Sequence, residues 1–316
     1  SGIKVVNHQL VVRIRPLPEG STSRLGLSVS RKVGGAPRRN RVKRCLRAAF
    51  RELSPALEQP LELVLIARPM AAPDTYADAL RSLVDRTRFA ISTEETRYYL
   101  NGIYLHTADA DGLQLLRAAA TDGHRLARVE MPLPDGAAGM PGIIIPRKTV
   151  AELRKLIDES DDVIDISLSD TKIQFAFDGA VLTSKLIDGT FPDYEKVIPV
   201  GNDKFLEVDC HTFADAVDRV ATISTERSRS VKLKVDANVL TLSASSPDNG
   251  TAVEEIEVAY DKEALEIGFN SRYLLDITQQ VEGDTAQLAM ADGASPTIVR
   301  DLSDDSALYV LMPMRV

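Results

Sequence analysis

The sequence predicts an α+β chain in three parts: a small basic α/β unit, then two copies of a helix-and-sheet domain. Three observations predict it. Charge is divided sharply along the chain, short alternating apolar runs are interleaved with amphipathic stretches, and one long segment recurs with its helices and strands in the same order. At 316 residues, 44% hydrophobic and 27% charged, the chain has an ordinary globular composition and the length of two or three domains. Its formal net charge is −8, yet residues 1–76 hold fourteen basic and five acidic residues while the remainder holds 24 and 41. That asymmetry points to parts with different partners. No apolar run nears the ~20 residues of a membrane helix, so no membrane partner is expected and the chain is read as cytoplasmic. Cys45 and Cys210 lie far apart without metal-ligand spacing and read as reduced thiols. Ser1 and Gly2 are set aside as a tag remnant.

In the basic part, Leu10–Arg15, Leu25–Ser30 and Leu63–Ala67 read as strands, the first two with the alternation of half-buried strands. Gly34-Gly35 and Pro37 then lead into a helical pattern over 38–53. Val42, Leu46, Ala49, Phe50 and Leu53 recur at helical spacing and predict a sheet-facing side. Asn40, Lys43, Arg44, Arg47 and Arg51 fall on the other side, with no acid to balance them. Residues 30–51 hold nine Lys or Arg and no Asp or Glu. Such a face repels itself unless a polyanion neutralises it, and the glycine turn offers backbone N–H groups to the same anion. No Lys-Ser/Thr follows the glycines, which argues against a nucleotide-hydrolysing loop. A nucleic-acid backbone is the expected partner.

"RLGLSVSRKVGGAPRRNRVKRCLRAAFREL", followed by "LELVLIARP", resembles the bacterial ribonuclease P protein component. The resemblance implies that Arg31, Lys32, Arg38, Arg39, Asn40, Arg41, Lys43, Arg44 and Arg47 contact RNA. The family's opening helix, whose aromatic side chains help to line a leader-binding cleft, has no counterpart here.

From about Tyr76 the character changes. "DALRSLVDRTRFAISTEETRYYLNGIYLH" reads as helix, turn and strand, and "FADAVDRVATISTERSRSVKLKV" repeats it 132 residues later. "GIIIPRKTVAELRKLI" and "LEIGFNSRYLLDI" are both strands running into helices. "TKIQFAFDGAVLTSKLID" and "TAQLAMADGASPTIVRDL" both read as strand, Asp-Gly turn, strand, and are taken as equivalents. A repeat this long is a duplicated domain. The boundaries expected are 1–75, 76–199 and 200–316.

Neither copy presents a catalytic constellation, and no metal or cofactor is expected. His8, His106, His124 and His211 are scattered, and Asp122-Gly123 reads as a turn between strands. Glu94-Glu95 and Asp161-Asp162 read as solvated turn residues. The chain is read as a binding protein, with no enzymatic activity of its own.

"TRYYLNGIYLH", "ATDGHRLA", "IIIPRKTVAEL", "TSKLIDGTFPDYEKVIP", "EIGFNSRYLLDI" and "YVLMPMRV" resemble, in order, segments of the bacterial DNA polymerase sliding clamp, the beta subunit. They span the second and third of that family's three similar domains. The resemblance implies sliding-clamp folds, a ring around duplex DNA, and a pocket that captures short peptides of polymerases and clamp loaders. It places Leu100, Thr121, Gly123, Leu126, Pro192, Val197, Val310, Met312, Pro313 and Met314 in that pocket. His124, Arg125, Asn270, Tyr273 and Arg315 give it a polar edge. An apolar groove with few orienting polar groups and adaptable methionines suits a short hydrophobic peptide. Ser228 stands where the family often has an aromatic, which weakens one subsite. Arg81, Arg86, Arg88, Arg97, Tyr98, Arg219, Arg227 and Arg229 are the expected contacts to DNA, held through backbone and water without base reading.

The two resemblances together imply a chimera whose join lies within residues 67–82. A closed ring dimer is not expected, because the clamp's first domain is missing and the interface it supplies is lost. The leading reading is a clamp-type processivity fragment that captures replication peptides, fused to an RNA-binding unit. The alternative is an RNA-binding subunit of ribonuclease P that assists 5′ processing of precursor tRNA.

Overall fold

The computed structural model describes residues 3–6, 10–18, 21–29, 39, 42–44, 46–47, 50–51, 54–56, 60–67, 76–110, 112–158, 164–177, 179–224 and 229–315. The chain divides into two compact units, Ser1–Asp78 and Ala79–Val316.

The first unit is a four-stranded sheet: β1 (Ile3–Val6), β2 (Leu10–Pro16), β3 (Arg24–Val29) and β4 (Leu61–Ala67). Their order is β1-β2-β4-β3. β3 and β4 run parallel, a pairing that demands a crossover, and Arg39, Val42, Lys43, Arg44, Leu46, Arg47, Phe50 and Arg51 in that crossover are helical. Val42 and Ala67 are buried, with Leu10, Val29 and Leu46 packed on them. Val42 and Leu46 of the expected apolar face therefore meet the sheet, while Ala49 and Leu53 lie outside the described residues. β1 pairs antiparallel with β2, an element the sequence reading did not assign.

The second unit opens in the helix α1 (Tyr76–Asp85). Four strands follow: β5 (Gly102–Ala110), β6 (Leu113–Thr121), β7 (Arg125–Pro132) and β8 (Ile143–Pro146). Helix α2 (Arg147–Asp158) comes next, its buried Thr149, Val150, Leu153 and Ile157 at helical spacing. β9 (Asp165–Leu168), β10 (Lys172–Phe177) and β11 (Ala180–Lys185) complete this copy.

The second copy opens with β12 (Lys204–Asp209), which runs into α3 (Cys210–Ala221). Asp209 caps α3 by accepting from the Thr212 N–H. β13 (Ser230–Asp236), β14 (Val239–Ser246), β15 (Gly250–Glu257) and β16 (Leu265–Asn270) follow. Then come α4 (Ser271–Thr278), β17 (Thr285–Met290), β18 (Thr297–Asp301) and β19 (Asp304–Leu311).

The sheets are β11-β10-β9, β15-β14-β13-β16 and an eight-stranded β12-β17-β18-β19-β7-β6-β5-β8. The copies are thus joined strand to strand, β19 lying antiparallel on β7. The topology also corrects one expected equivalence. Three strands follow each copy's second helix, so β9-β10-β11 matches β17-β18-β19. The two Asp-Gly pairs are not in matching places: Gly179 immediately precedes β11, whereas 292–293 follows β17. A turn dipeptide marks a reversal of the chain, and it does not say which reversal.

Candidate functional site

The β19–β7 join brings several of the expected pocket residues together. Val310 lies opposite Leu126 and Leu311 opposite Arg125. Beyond the ladder, the Met312 N–H donates to the His124 carbonyl at 2.9 Å, and the Met314 N–H to the Gly268 carbonyl at 2.8 Å. Residues 312–314 are thereby held between the β6–β7 turn and β16.

That turn is tightly made. The Thr121 hydroxyl donates to the Arg125 carbonyl at 2.7 Å and accepts from the Gly123 N–H at 3.0 Å. Asp122 Oδ1 accepts from the His124 and Arg125 N–H groups. Gly123 has φ +88°, the left-handed region that glycine enters without steric cost. Arg125 is buried, and its guanidinium donates to Asp122 at 3.1 Å, Asp276 at 2.5 Å and the Phe89 carbonyl at 2.6 Å. It also stacks over the Tyr273 ring, 4.3 Å from its centroid. Burial pushes the Tyr273 hydroxyl up from its ordinary pKa. His124 lies beside Tyr273, ring centroids 6.4 Å apart.

The fifteen expected pocket residues separate by depth. Leu100, Leu126 and Val310 belong to a buried cluster with Phe191, Tyr194 and Leu308. They are the most deeply buried of the apolar residues expected there. Met312 is 40% exposed and Val197 51%, while Gly123, His124, Pro192 and Arg315 are also exposed. Thr121, Asn270, Tyr273, Pro313 and Met314 are half-buried. Asn270 caps α4 by accepting from the Arg272 N–H at 3.0 Å. Arg125 braces the 121–125 turn.

The expected DNA contacts fare unevenly. Arg86 is a correction: its side chain is 4% exposed and bonded to Asp304 at 2.7 Å and Ser306 at 3.1 Å. It fastens α1's end to β19 and offers no charge to the surface. Burial alone would raise the Asp304 pKa, but the Arg86 guanidinium and the Ser306 donors outweigh it and hold the carboxyl below its ordinary value. Arg81 pairs with Asp158 at 3.4 Å, Arg88 with Asp85 at 3.3 Å and Arg219 with Glu254 at 2.6 Å. Arg97 pairs with Glu94 at 2.8 Å and reaches over the Gly123 turn. Tyr98 is exposed and meets Tyr99 edge to face. Arg229 has φ +41°, and its carbonyl accepts from the Ser271 N–H. Arg147 and Lys148, in the "IIIPRKTVAEL" segment, are exposed at the start of α2 beyond the expected DNA contacts. Arg227 and Ser228 lie outside the described residues.

In the first unit Arg31, Lys32, Arg38, Asn40 and Arg41 lie outside the described residues. Arg44, Arg47 and Arg51 are exposed, Lys43 and Arg39 half-buried. Lys43, Arg47, Phe50 and Arg51 line a cleft of about 410 Å³ with Leu25 and Leu27.

A second feature carries no local signal in the sequence. Tyr104, His106, Arg117, Phe191, Tyr194 and Glu195 are among the residues lining an open cleft of about 490 Å³. Tyr104 stacks between Phe191 and His106. His106 Nδ1 faces the Thr107 carbonyl at 3.0 Å, which can only accept, so Nδ1 carries the proton and Nε2 accepts from the Tyr194 hydroxyl at 2.8 Å. Burial pushes that hydroxyl up to about 12 and the His106 ring below its ordinary value. Strand pairing brings these residues together, and no local motif announces them.

Two matching copies, fused through one continuous sheet, define a protein of the sliding-clamp class. Residues 75–193 match the DNA polymerase III beta subunit, central domain, and 195–315 its C-terminal domain. Residues 1–88 match the Ribonuclease P family, so 75–88 are claimed from both sides. The Beta sliding clamp of Caulobacter vibrioides is 50% identical over 310 residues, covering 98% of this chain and 81% of the relative. The DNA polymerase sliding clamp structure from Caulobacter crescentus is 56% identical with a TM-score of 0.73. A Bartonella birtlesii sliding clamp bound to griselimycin is 54% identical with a TM-score of 0.74. Each covers 76% of this chain, which spans 64% of theirs. The chain belongs to the bacterial beta sliding clamp family.

Proposed function

We propose that the chain is a non-catalytic clamp-type processivity factor whose β19–β7 join captures short apolar peptides of replicative polymerases and clamp loaders. The observation that carries this is the pinning of Met312 and Met314 by backbone bonds beside the braced 121–125 turn, which leaves an exposed methionine over a rigid floor. A fluorescent Gln-Leu-x-Leu-Phe-type peptide should bind the full chain saturably, and Met312→Ala should weaken it at least tenfold with the melting temperature unchanged. Equal affinity for both proteins would end the reading. Duplex DNA is the proposed track, held without sequence preference by exposed charges such as Arg88, Arg147 and Lys148. The domain division proposed is 1–75, 76–199 and 200–316, the first part being a chimeric addition.

A second reading concerns that first part. The exposed Arg44, and the exposed Arg47 and Arg51 that line a cleft, support RNA binding of the ribonuclease P protein type. Affinity for structured RNA should fall steeply between 50 and 200 mM salt, as counterion release from phosphate contacts requires. Neutralising Arg39, Arg41 and Arg44 should flatten that slope. A flat dependence in the unmodified chain would remove the reading.

A further inference from the structure

We infer that the outer edge of β9 is a docking site for an extended, basic segment of a partner protein, added as a fourth strand to β11-β10-β9. The inference starts from a difference between the two copies. In the second, β12 lies on the outer side of β17 and runs straight into α3, so β12-β17-β18-β19 has four strands where the first copy has three. In the first, no ladder lies on the outer side of β9 among the described residues. β4 precedes α1 but is engaged between β2 and β3. The residues between β4 and α1, 68–75, read RPMAAPDT, with two prolines and none of the alternation of KFLEVD in β12. The edge of β9 is therefore a row of backbone donors and acceptors that templates an incoming strand.

The second copy shows what kind of segment fits. The pairs closing the β10–β11 and β18–β19 hairpins, Phe177↔Ala180 and Asp301↔Asp304, match Phe175 with Val299. Their partners on the next strands are Ile166 and Leu288, so Leu168 matches Met290. Leu288 and Met290 are each 1% exposed and lie opposite Leu206 and Lys204 of β12. Ile166 is 44% exposed and Leu168 36%. The same two positions are buried where the extra strand is present and open where it is absent. Charge sets a second requirement. Gln287 lies opposite Glu207 and donates to it at 3.2 Å. Asp165 holds the place of Gln287 in β9, and residues 158–165 contain five acids and no base. Like charges directly opposite destabilise a ladder and opposite charges support it. The occupant is thus an extended segment antiparallel to β9, apolar at alternate positions and basic between them.

The test uses the full chain and two fluorescent peptides, one copying residues 202–209 and one with lysine in place of Glu207 and Asp209. The lysine peptide should bind saturably and about tenfold more tightly than the copy, and Asp165→Lys should reverse that preference. In a second arm the lysine peptide is N-methylated either at positions 204, 206 and 208 or at 205 and 207. Only alternate residues of an added strand turn their N–H groups toward β9, so one pattern should abolish binding and the other should leave it. Ile166→Ser should weaken binding about fivefold with the melting temperature unchanged. A saturating Gln-Leu-x-Leu-Phe-type peptide should not displace the lysine peptide, which separates this edge from the β19–β7 join. No saturable binding up to about 1 mM, equal affinity of the two peptides, the same effect from both methylation patterns, or displacement by the second ligand overturns the proposal.

Discussion

The β6–β7 turn and the β14–β15 turn occupy the same place in the two copies, yet they are built to different standards. In the first, Asp122 takes two backbone N–H groups and Arg125 ties the turn to Phe89 and Asp276. In the second, Ser246 accepts from the Asn249 N–H at 3.3 Å, and Asn249 reaches the Ile223 carbonyl at 3.2 Å. Where Arg125 stands in one copy, Gly250 stands in the other. The difference tracks the neighbours. β7 receives β19 and has a second copy to brace against; β15 faces outward. A duplicated fold supplies two equivalent turns, and only the first lies against the join.

The sharpest way to break the comparison is to cut the join itself. Arg86→Ala strands Asp304, buried at the base of β19. Removing one partner of a buried pair costs about 3–5 kcal/mol. Urea denaturation should show that loss, and Asp304→Ala in the same chain should add far less than its separate cost. A loss below about 1 kcal/mol would mean that the join does not rest on this pair.

Arg125→Ala comes next. It leaves Asp122 and Asp276 without their shared cation, and bonds to charged groups are worth about 1.5–3 kcal/mol each. Stability and peptide affinity should fall together. The matching truncation in the plainer turn, Asn249→Ala, should cost under about 1 kcal/mol and leave peptide affinity alone. If the two variants behaved alike, the first turn would have no special role in the site.

A finer contrast comes from glycine. Gly123 and Gly250 both sit in the left-handed region, at φ +88° and +89°. Alanine there costs about 1–2 kcal/mol from backbone strain alone. At Gly250 a methyl group meets nothing within 4 Å, whereas at Gly123 it would stand 2.5 Å from Arg97 Nη1. Gly123→Ala should therefore also displace Arg97 from the turn and change peptide affinity, while Gly250→Ala should register in thermal stability only.

Legibility differed between these layers. Elements with an internal period were readable: α2's apolar spacing, the strand-into-helix steps at 143–158 and 265–278, and the basic helix's buried Val42 beside exposed Arg44 and Arg47. The turn at Asp122-Gly123 was readable from its residue types. What sequence could not supply was pairing between distant strands. Arg86 looked like any basic residue after a helix, because its partner lies 218 positions away. His106 looked isolated, since Tyr194 reaches it only through the fold. The slip of one hairpin in matching the copies has the same origin, because a dipeptide motif carries no information about strand order.

The smallest expected effect separates the copies by pH. His106 of the first copy is matched by Lys234 in the second, an exposed residue. Burial holds the His106 pKa below its ordinary value. The unfolded chain therefore takes up a proton near pH 6.5 that the folded chain resists. The stability this contributes is complete above the unfolded pKa and is lost as pH falls through the lower folded value. His106→Phe keeps the aromatic stack on Tyr104 and removes the proton site; the Tyr194 hydroxyl loses its acceptor, a cost that does not depend on pH. Between pH 7.5 and 5.5 the unmodified chain should lose more stability in urea than the variant, by up to about 1.4 kcal/mol per unit of pKa depression. Parallel losses would place the acid sensitivity of this copy elsewhere, and a Lys234→Phe control should leave the difference unchanged.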